Sequence, residues 1–273
     1  MKNKIKSKLI RYAVYFCAAL TFGVLIFLLV YILARGIPHL EPGLFSPEYT
    51  SENCSVIPAL VNTLCMTGIA LLISCPLGIG SAIYLAEYAK KGNPFVKAVR
   101  LTTETLSGIP SIIFGLFGML LFVGTLRWGY SVLAGSCTVA IMILPTIIRT
   151  AEESLLAVPD NFREGSFALG AGKLRTVVNI TVPAAAPGIL NGIILATGRV
   201  VGETAALMYT AGTVSHIPKS VFGSGRTLAV HLYLLSSEGL HINKGFATAV
   251  VLLVLVITIN AASGLLSKKI RNV

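Results

Sequence analysis

Two charged residues inside an apolar segment are the first positions in this sequence whose types and spacing suit chemistry. Arg199 and Glu203 lie four residues apart within the apolar run 184–210, so in a helix they share one face and can pair. An isolated charge at the centre of a bilayer costs about 2.5 kcal/mol or more. The two residues therefore form either a self-neutralising pair that specifies helix packing or a polar position that faces a central pathway.

Arg149 is the next candidate, because it ends another apolar run in the sequence LPTIIRT. A long cationic side chain at such a boundary can simply anchor the helix at the membrane interface. It can instead place a positive charge at the inner mouth of a pathway for an anion. The sequence leaves both interpretations open.

The segment GIPSIIFGLFG, residues 108–118, predicts a kink beside such a pathway. Pro110 removes a backbone hydrogen bond from a helix, and the Ser111 hydroxyl can satisfy the carbonyl that is freed. A packing kink without ligand contact is an equal alternative. Just before this segment, Glu104 follows Arg100 by four residues, which predicts a salt bridge at the helix boundary.

Patterns typical of enzymes and metal sites are missing from the sequence. It holds no GxSxG or HExxH motif, and its five cysteines show no CxxC or His–Cys ligand spacing. A phosphate-binding GxxxxGK[ST] loop is also missing, because Ala171 stands where the lysine is required. We expect a chain that is not an enzyme, with no catalytic residue, metal or cofactor of its own. The histidines are scattered through the polar loops and are expected to be solvated: His39, His216, His231 and His241.

Composition places these residues in a helical membrane protein. The 273 residues are 55% hydrophobic and only 12% charged, whereas soluble domains are about a quarter charged. The mean hydropathy of +0.82 indicates the same class. The net charge of +11 is spread over short loops, so it indicates orientation in a lipid membrane rather than nucleic-acid binding.

Six apolar runs are each long enough, at about 20 residues or more, to cross the hydrocarbon of a bilayer as a helix. We expect an all-α protein with one membrane domain, residues 1–273. Most of the 22 Lys and Arg residues fall on the side of the two termini, so both termini are expected in the cytosol. The runs are residues 12–34, 58–86, 101–126, 129–148, 184–210 and 245–267.

Three long connections follow from this topology. A cytosolic loop covers about residues 150–183, and two outer loops cover about residues 35–57 and 211–244. The chain ends in a basic tail with Lys268, Lys269 and Arg271.

Glycine and proline positions add two predictions about the helices. Pro76, Gly78 and Gly80 predict a break near the middle of the second run. In the fifth run, small residues at i and i+4 predict close helix contact and an interior position. These pairs are Gly188 with Gly192 and Gly198 with Gly202.

The cytosolic stretch 164–183, EGSFALGAGKLRTVVNITVP, is typical of a docking element between membrane helices. Pro159 breaks the chain before it, and Asp160 or Asn161 can cap a new helix. Glu164 then lies in the first turn, where the helix dipole favours a carboxylate and a basic partner can meet it.

The second half of this stretch predicts a hinge. Gly170 and Gly172 can end the first helix, since glycine tolerates the left-handed conformation of a C-cap. A second short helix, about 173–182, then leads to Pro183, where the fifth run begins. Two short helices joined by glycines, with two small residues side by side in the first, suit close approach by another protein.

The spacing of the stretch resembles the EAA loop of binding-protein-dependent ABC importer permeases. Gly165 and Ser166 replace the two alanines of the family pattern, and Val182 replaces a leucine, so residue size is nearly kept. The resemblance implies a type I ABC importer permease (MetI-like) fold with six transmembrane helices. It also implies a coupling helix that sits in a groove of a cytosolic ATP-binding subunit. The matching positions are Glu164, Gly165, Ser166, Gly170, Ile180 and Pro183.

Three further motifs are similar to phosphate importer permeases of the PstA type: GIPSIIFGLFG, IIRTAEESL and GRVVGETAALMYTAG. In that family Arg149, Arg199 and Glu203 match charged positions implicated in translocation. The resemblance implies alternating-access import of inorganic phosphate across the cytoplasmic membrane of a bacterium or an archaeon. Sulfate, molybdate or a small organic molecule is the alternative cargo.

The same resemblance implies a set of partners. They are a similar second permease subunit (PstC-like), two ATP-binding subunits (PstB-like) and an extracytoplasmic phosphate-binding protein (PstS-like). ATP and Mg²⁺ are then expected on the ATP-binding subunits and not on this chain.

Overall fold

Every apolar run of the sequence folds into helix in the computed structural model, which describes residues 2–90, 92–237, 239 and 241–271. Of residues 2–7, 9 and 266–271 it describes the backbone alone, so the side chains of the predicted basic tail lie outside the description. The described chain contains no strand. Its α-helices are α1 (Lys2–Gly36), α2 (Ile57–Ile83), α3 (Pro94–Ser107), α4 (Ser111–Gly118), α5 (Val132–Leu156), α6 (Asp160–Ala168), α7 (Lys173–Thr176), α8 (Val182–Val201), α9 (Ala205–Met208), α10 (Leu228–Ser237) and α11 (Ile242–Arg271).

Short helical segments of other types extend these helices. Three π-helical segments continue neighbouring α-helices, namely Tyr84–Tyr88, Met119–Thr125 and Val177–Thr181. Two 3₁₀ turns, Ile37–His39 and Pro42–Phe45, lie in the first predicted outer loop.

Five described helical segments are long and apolar enough to cross a membrane. A sixth span is present if α3 and the segment Ser111–Thr125 count as one, but their axes differ by 102°. The prediction of an all-α, multi-span chain is confirmed, and the third apolar run is a sharply bent pair of helices. The five segments are Ile10–His39, Ile57–Tyr88, Val132–Leu156, Lys173–Val201 and Ile242–Leu265.

The predicted break in the second run is wrong, because α2 continues through Pro76. A membrane helix tolerates proline where neighbouring groups satisfy the freed backbone. Gly78 instead allows close packing of α2 on α5, since a Cβ at this position would lie 2.7 Å from Cγ2 of Ile147.

Helix α5 forms the centre of the bundle. Its side chains Met142, Ile143 and Ile147 are fully buried. They share one apolar core with Met66 of α2 and Val200 of α8. Because α2, α5 and α8 pack through one continuous core, a displacement of one of them is transmitted to the other two.

The predicted interior position of α8 depends on its first glycine pair. Gly188 lies directly against Ser154 of α5, and Gly192 lies against Thr150 one turn earlier. A side chain at either glycine would overlap these hydroxyl residues, so the predicted close contact is confirmed for this pair. At Gly198, a Cβ would meet no atom within 4 Å.

Helix α1 lies at the edge of the bundle. Its large apolar side chains, such as Phe16 and Phe22, are exposed along most of its length. It meets α11 near its end, where Tyr31 stacks edge-on against Phe246 with 5.7 Å between ring centroids. An exposed apolar helix of this kind suits a lipid surrounding.

Two helices end at other residues than the apolar runs predict. Helix α5 continues to Leu156 rather than residue 148, so Arg149 lies within the helix and not at its end. Helix α8 ends at Val201, with Gly202 as its C-cap, so Glu203 lies outside the helix.

The fifth span begins earlier than the run predicts. Helix α7, its π-helical extension and α8 form one continuous segment, Lys173–Val201. Pro183 occupies the first turn of α8, where a missing N–H is tolerated. The predicted start of the fifth helix near Pro183 agrees with the start of α8 at Val182, but the helical chain continues into α8 from Lys173 without a break.

Candidate functional site

Arg199 and Glu203 do not form the ion pair that their spacing suggests. Both belong to the described chain, and no hydrogen bond or salt bridge joins them. Helix α8 ends between them at Gly202, which removes the shared helix face that the prediction requires. Arg199 is half-buried in the last turn of α8, and Glu203 is buried beyond it.

Glu203 has a structural partner instead. Its Oε1 accepts a hydrogen bond from the backbone N–H of Ala206 at 3.0 Å, at the start of α9. A carboxylate satisfies an unpaired N–H at a helix start well. The same Ala206 lies against α4, where a Cβ at Gly115 would be 2.8 Å from the Ala206 Cα. Glu203 thereby positions α9 against α4, a contact that the sequence analysis missed.

Pro110 and Ser111 lie at the junction between two separate helices rather than at a kink inside one helix. Helix α3 ends at Ser107, and Pro110 is the N-cap of α4, whose first helical residue is Ser111. The Pro110 carbonyl accepts the N–H of Ile113 at 3.0 Å. Because no helix runs through Pro110, no intrahelical bond is lost there, and the predicted role of Ser111 in repairing it does not arise.

Arg149 is exposed on α5 and pairs with the side chain one turn further on. Its Nε lies 2.8 Å from Oε1 of Glu153. The two side chains border an open cleft between α3 and α5. In the described chain, no hydrogen bond or ion pair joins Arg149 to Arg199 or Glu203.

The predicted pair of Arg100 with Glu104 is replaced by a contact between helices. Arg100 Nη2 lies 2.6 Å from Oε1 of Glu152, a largely buried side chain of α5. Helix α3 turns away from α4 by 102° and packs on α5, which brings Arg100 to this partner. Local spacing predicted the wrong carboxylate because it ignores the neighbouring helix.

The predicted two-helix hairpin is present at the end of α5. Helix α6 is followed by Gly170 in the left-handed region, with φ +83°, and α7 begins after Gly172. The predicted end of the first helix at a left-handed glycine is therefore confirmed. Capping by Asp160 or Asn161 is not, because Pro159 is the N-cap and Asp160 Oδ1 accepts from Nη1 of Arg163 at 3.1 Å.

The outer face of α6 carries exposed side chains of two kinds. Glu164 and Gly165 are exposed, and a Cβ at Gly165 would meet no atom within 4 Å. Phe162 and Phe167 are exposed nearby, and Leu169 has 90% of its surface exposed. A short helix with uncovered apolar and acidic side chains is typical of a surface that another protein covers.

The remaining predicted coupling residues lie in other surroundings. Ser166 is buried, and its hydroxyl lies 2.8 Å from that of Thr176, so it joins α6 to α7 inside the hairpin. Ile180 is half-buried within the π-helical segment, and Pro183 is exposed.

Arg163, which no sequence pattern singles out, attaches α6 to the bundle. Its Nη2 lies 2.7 Å from Oε1 of Glu87, and its Nε lies 3.0 Å from the same oxygen. Its Nη1 donates to the Val158 carbonyl at 2.7 Å, and Nη2 donates to the Leu155 carbonyl at 2.9 Å. Only 15% of the Arg163 side chain and 7% of the Glu87 side chain are exposed. Local spacing carries no signal for this pair, whose members are 76 residues apart.

The opposite end of α2 holds a second polar cluster. Arg226 is 8% exposed, and its guanidinium lies over the Tyr49 ring at 4.6 Å from the centroid. His231 packs edge-on against the same ring and donates from Nε2 to the Cys54 carbonyl at 3.2 Å. The prediction that His231 is a solvated loop histidine is wrong, because the residue is fully buried. Burial, with a smaller contribution from Arg226, lowers the pKa of His231 to about 4.

Metal-binding chemistry finds no site in the described residues. Nowhere in that part of the chain do three or more His, Cys, Asp or Glu side chains come together in a way that could hold a metal ion.

A family model for the binding-protein-dependent transport system inner membrane component matches residues 74–272. The chain belongs to this family. It is a multi-pass membrane permease subunit of an ABC importer and not an enzyme.

Curated relatives cover most of the permease. It is 34% identical over 260 residues to the probable ABC transporter permease protein YqgI of Bacillus subtilis, which covers 88% of this chain and 86% of that protein. It is 36% identical over 214 residues to the phosphate transport system permease protein PstA 1 of Mycobacterium tuberculosis, covering 77% and 70% of the two chains.

Solved structures agree on the fold. The permease matches a chain of the MetNI methionine ABC transporter with a TM-score of 0.66 and 20% identity, over 79% of this chain and 95% of that one. It matches a chain of a bacterial alginate ABC transporter with a TM-score of 0.68 and 16% identity, over 98% of both chains. The predicted MetI-like permease fold is confirmed.

Proposed function

We propose that this permease subunit translocates inorganic phosphate in an ATP-driven importer of a bacterial inner membrane. The observation that carries this proposal is its similarity to relatives named as phosphate transport permeases. Besides the mycobacterial protein, PstA of Haemophilus influenzae is 36% identical over 189 residues, covering 68% of this chain and 66% of that one. The importer would contain a PstC-like second permease, two PstB-like ATP-binding subunits and a PstS-like binding protein.

The hairpin of α6 and α7 is the proposed contact with the ATP-binding subunits. Its exposed Glu164 and apolar side chains form a surface at the end of the bundle where the hairpin attaches. ATP and Mg²⁺ would bind to those subunits, since this chain has no phosphate-binding loop. Closure of the ATP-binding subunits would move α6 and expose the pathway alternately to the two sides of the membrane.

Arg199 is the proposed phosphate contact in the pathway. It is half-buried, and within the described chain it makes no ion pair. A partly desolvated guanidinium without a carboxylate partner is suited to a phosphate oxyanion, which it can bind with two parallel hydrogen bonds. Arg149 would contribute less at the mouth, because Glu153 already neutralises it. Glu203 would act indirectly, by positioning α9.

Uptake of labelled phosphate by the complete importer in vesicles tests the proposal. We expect uptake that depends on ATP and is not reduced by excess sulfate or molybdate. Replacing Arg199 by Gln should lower uptake about tenfold, the cost of one charge-assisted hydrogen bond. Lys219→Gln, which removes an exposed outer-loop cation, is the matched control and should leave uptake unchanged.

Two results would contradict the proposal. Inhibition of uptake by sulfate, molybdate or an organic solute would assign that cargo instead. Equal uptake by the Arg199→Gln and Lys219→Gln importers would remove Arg199 from the pathway.

A further inference from the structure

Helix α6 has few attachments to the rest of the permease. Ser166 joins it to Thr176, but that contact lies within the hairpin itself. The glycine-containing connection at residues 169–172 adds backbone hydrogen bonds of the same local kind. Arg163 makes the hydrogen-bonded side-chain contact that joins α6 itself to the ends of α2 and α5, while Lys173 of α7 lies over the Tyr88 ring at 5.0 Å from the centroid. Arg163 is therefore a place where a force on α6 enters the bundle directly.

The Arg163 guanidinium joins three parts of the fold at once. Glu87 lies in the π-helical segment that extends α2. Leu155 and Val158, whose carbonyls accept from Nη2 and Nη1, lie at and just beyond the end of α5. Asp160, in the first turn of α6, is the last acceptor. A planar group with several fixed donors holds its partners in one relative geometry.

The helices that Arg163 joins are the central ones. Gly78 of α2 lies against Ile147 of α5, and α5 packs on α8 through Thr150 and Ser154. Closely packed interiors transmit displacement rather than absorbing it. A shift of α6 that is passed to α2 and α5 therefore moves the core of the bundle, and not the peripheral α1.

We propose that the Arg163–Glu87 pair transmits the displacement of α6 to α2 and α5. This inference rests on the proposed docking of α6 on an ATP-binding subunit. Arg163 and Glu87 are positioning residues, since neither contacts phosphate or ATP. The pair is short and largely buried, so it stays closed while the surface of α6 is pushed.

The ratio of phosphate taken up to ATP hydrolysed in the complete importer measures this role. In the Glu87→Gln importer, Arg163 keeps its carbonyl acceptors but loses the ionic link to α2. We expect ATP hydrolysis to continue and uptake per ATP to fall about tenfold, because the two hydrogen bonds from Arg163 lose their charged acceptor.

A second ion pair of the same chain supplies the matched control. Arg100 and Glu152 also join two elements across a largely buried carboxylate, at 2.6 Å, but neither touches α6. Glu152→Gln should leave uptake per ATP within about twofold of the unchanged importer. An equal fall in both variants, or no fall in Glu87→Gln, would overturn the proposal.

A double variant keeps the test decisive if Glu87→Gln fails to assemble. Glu87→Leu with Arg163→Met removes both charges, and replacing a buried pair by apolar residues is often neutral for stability. An assembled double variant with normal uptake per ATP would overturn the proposal. Failure of the proposed function is recognised separately, because the unchanged importer would then take up no phosphate.

Discussion

Two arginines near opposite ends of α2, the largely buried Arg163 and the buried Arg226, differ in their partners. Arg163 donates to a buried carboxylate, to two backbone carbonyls and to Asp160. The guanidinium of Arg226 lies over Tyr49, and its Nε and Nη2 find no hydrogen-bond partner within the described chain.

The difference shows that burial alone does not give an arginine a mechanical role. A guanidinium with several acceptors links the elements that supply them, and removing it leaves those acceptors unpaired. A guanidinium that lies mainly over an aromatic ring links little. We therefore interpret Arg163 as a mechanical link between α6 and the ends of α2 and α5. The residues around Arg226, at the other end of α2, form a packed polar cluster.

The largest expected effect comes from removing Arg163. Arg163→Ala leaves Glu87 buried without its partner, so we expect a loss of about 3–5 kcal/mol in the free energy of unfolding. Denaturant titration of the purified protein measures this. Arg149→Ala removes an exposed pair and should cost less than about 1 kcal/mol. If the two variants lose equal amounts of the free energy of unfolding, Arg163 does not link the helices in the proposed way.

Measuring stability against pH tests the polar cluster around Arg226 through His231, a residue of α10. The pKa of about 4 in the folded protein lies below the ordinary value of 6.5, so the unfolded chain binds more protons between these values. Stability should fall as pH drops from 6.5 to 4, by at most on the order of 3 kcal/mol from this group. Arg226 and the Tyr49 ring are the groups that face it.

His231→Gln is the control for this titration, since its amide can still donate to the Cys54 carbonyl. The slope of stability against pH in that window should be shallower in the variant. Identical slopes would mean that His231 is not held neutral by burial, and the residues around Arg226 would not form the buried cluster that the comparison with Arg163 requires.

The smallest effect is expected from removing the charge of Arg226. Arg226→Met keeps an apolar stem over Tyr49 and leaves no carboxylate unpaired. We expect the free energy of unfolding to stay within about 1 kcal/mol of the original, with either sign, because a lost cation–π contact offsets a relieved desolvation cost. A loss above about 2 kcal/mol in the free energy of unfolding, measured by heat or denaturant, would show that Arg226 also links structural elements.

Predictions from the sequence succeeded where the signal is local. The helical state of the apolar runs, the left-handed glycine at Gly170 and the start of a helix after Pro159 depend on neighbouring residues, and the structure confirms them, although several helices end at other residues than the runs predict. The roles of Glu164 in docking and of Arg199 in translocation stay predictions.

Predictions failed where packing against another helix, or the end of a helix, determines which side chains meet. The spacing of Arg199 and Glu203 predicted a pair, but α8 ends at Val201 and Glu203 accepts from the Ala206 N–H at the start of α9. Arg100 was assigned the nearest carboxylate in sequence, whereas packing of α3 on α5 supplies Glu152. In both cases a helix boundary or crossing changed which side chains meet.

The sequence by itself determined a helical permease with a short polar hairpin between its fourth and fifth apolar runs. The length of an apolar run and the conformation of a glycine after a helix depend on neighbouring residues, so the sequence alone predicts them. Only the tertiary structure decided that Arg163 reaches Glu87, 76 residues away, and that His231 is buried. Such contacts depend on how the helices pack, because packing alone brings distant side chains within hydrogen-bond distance and removes them from water.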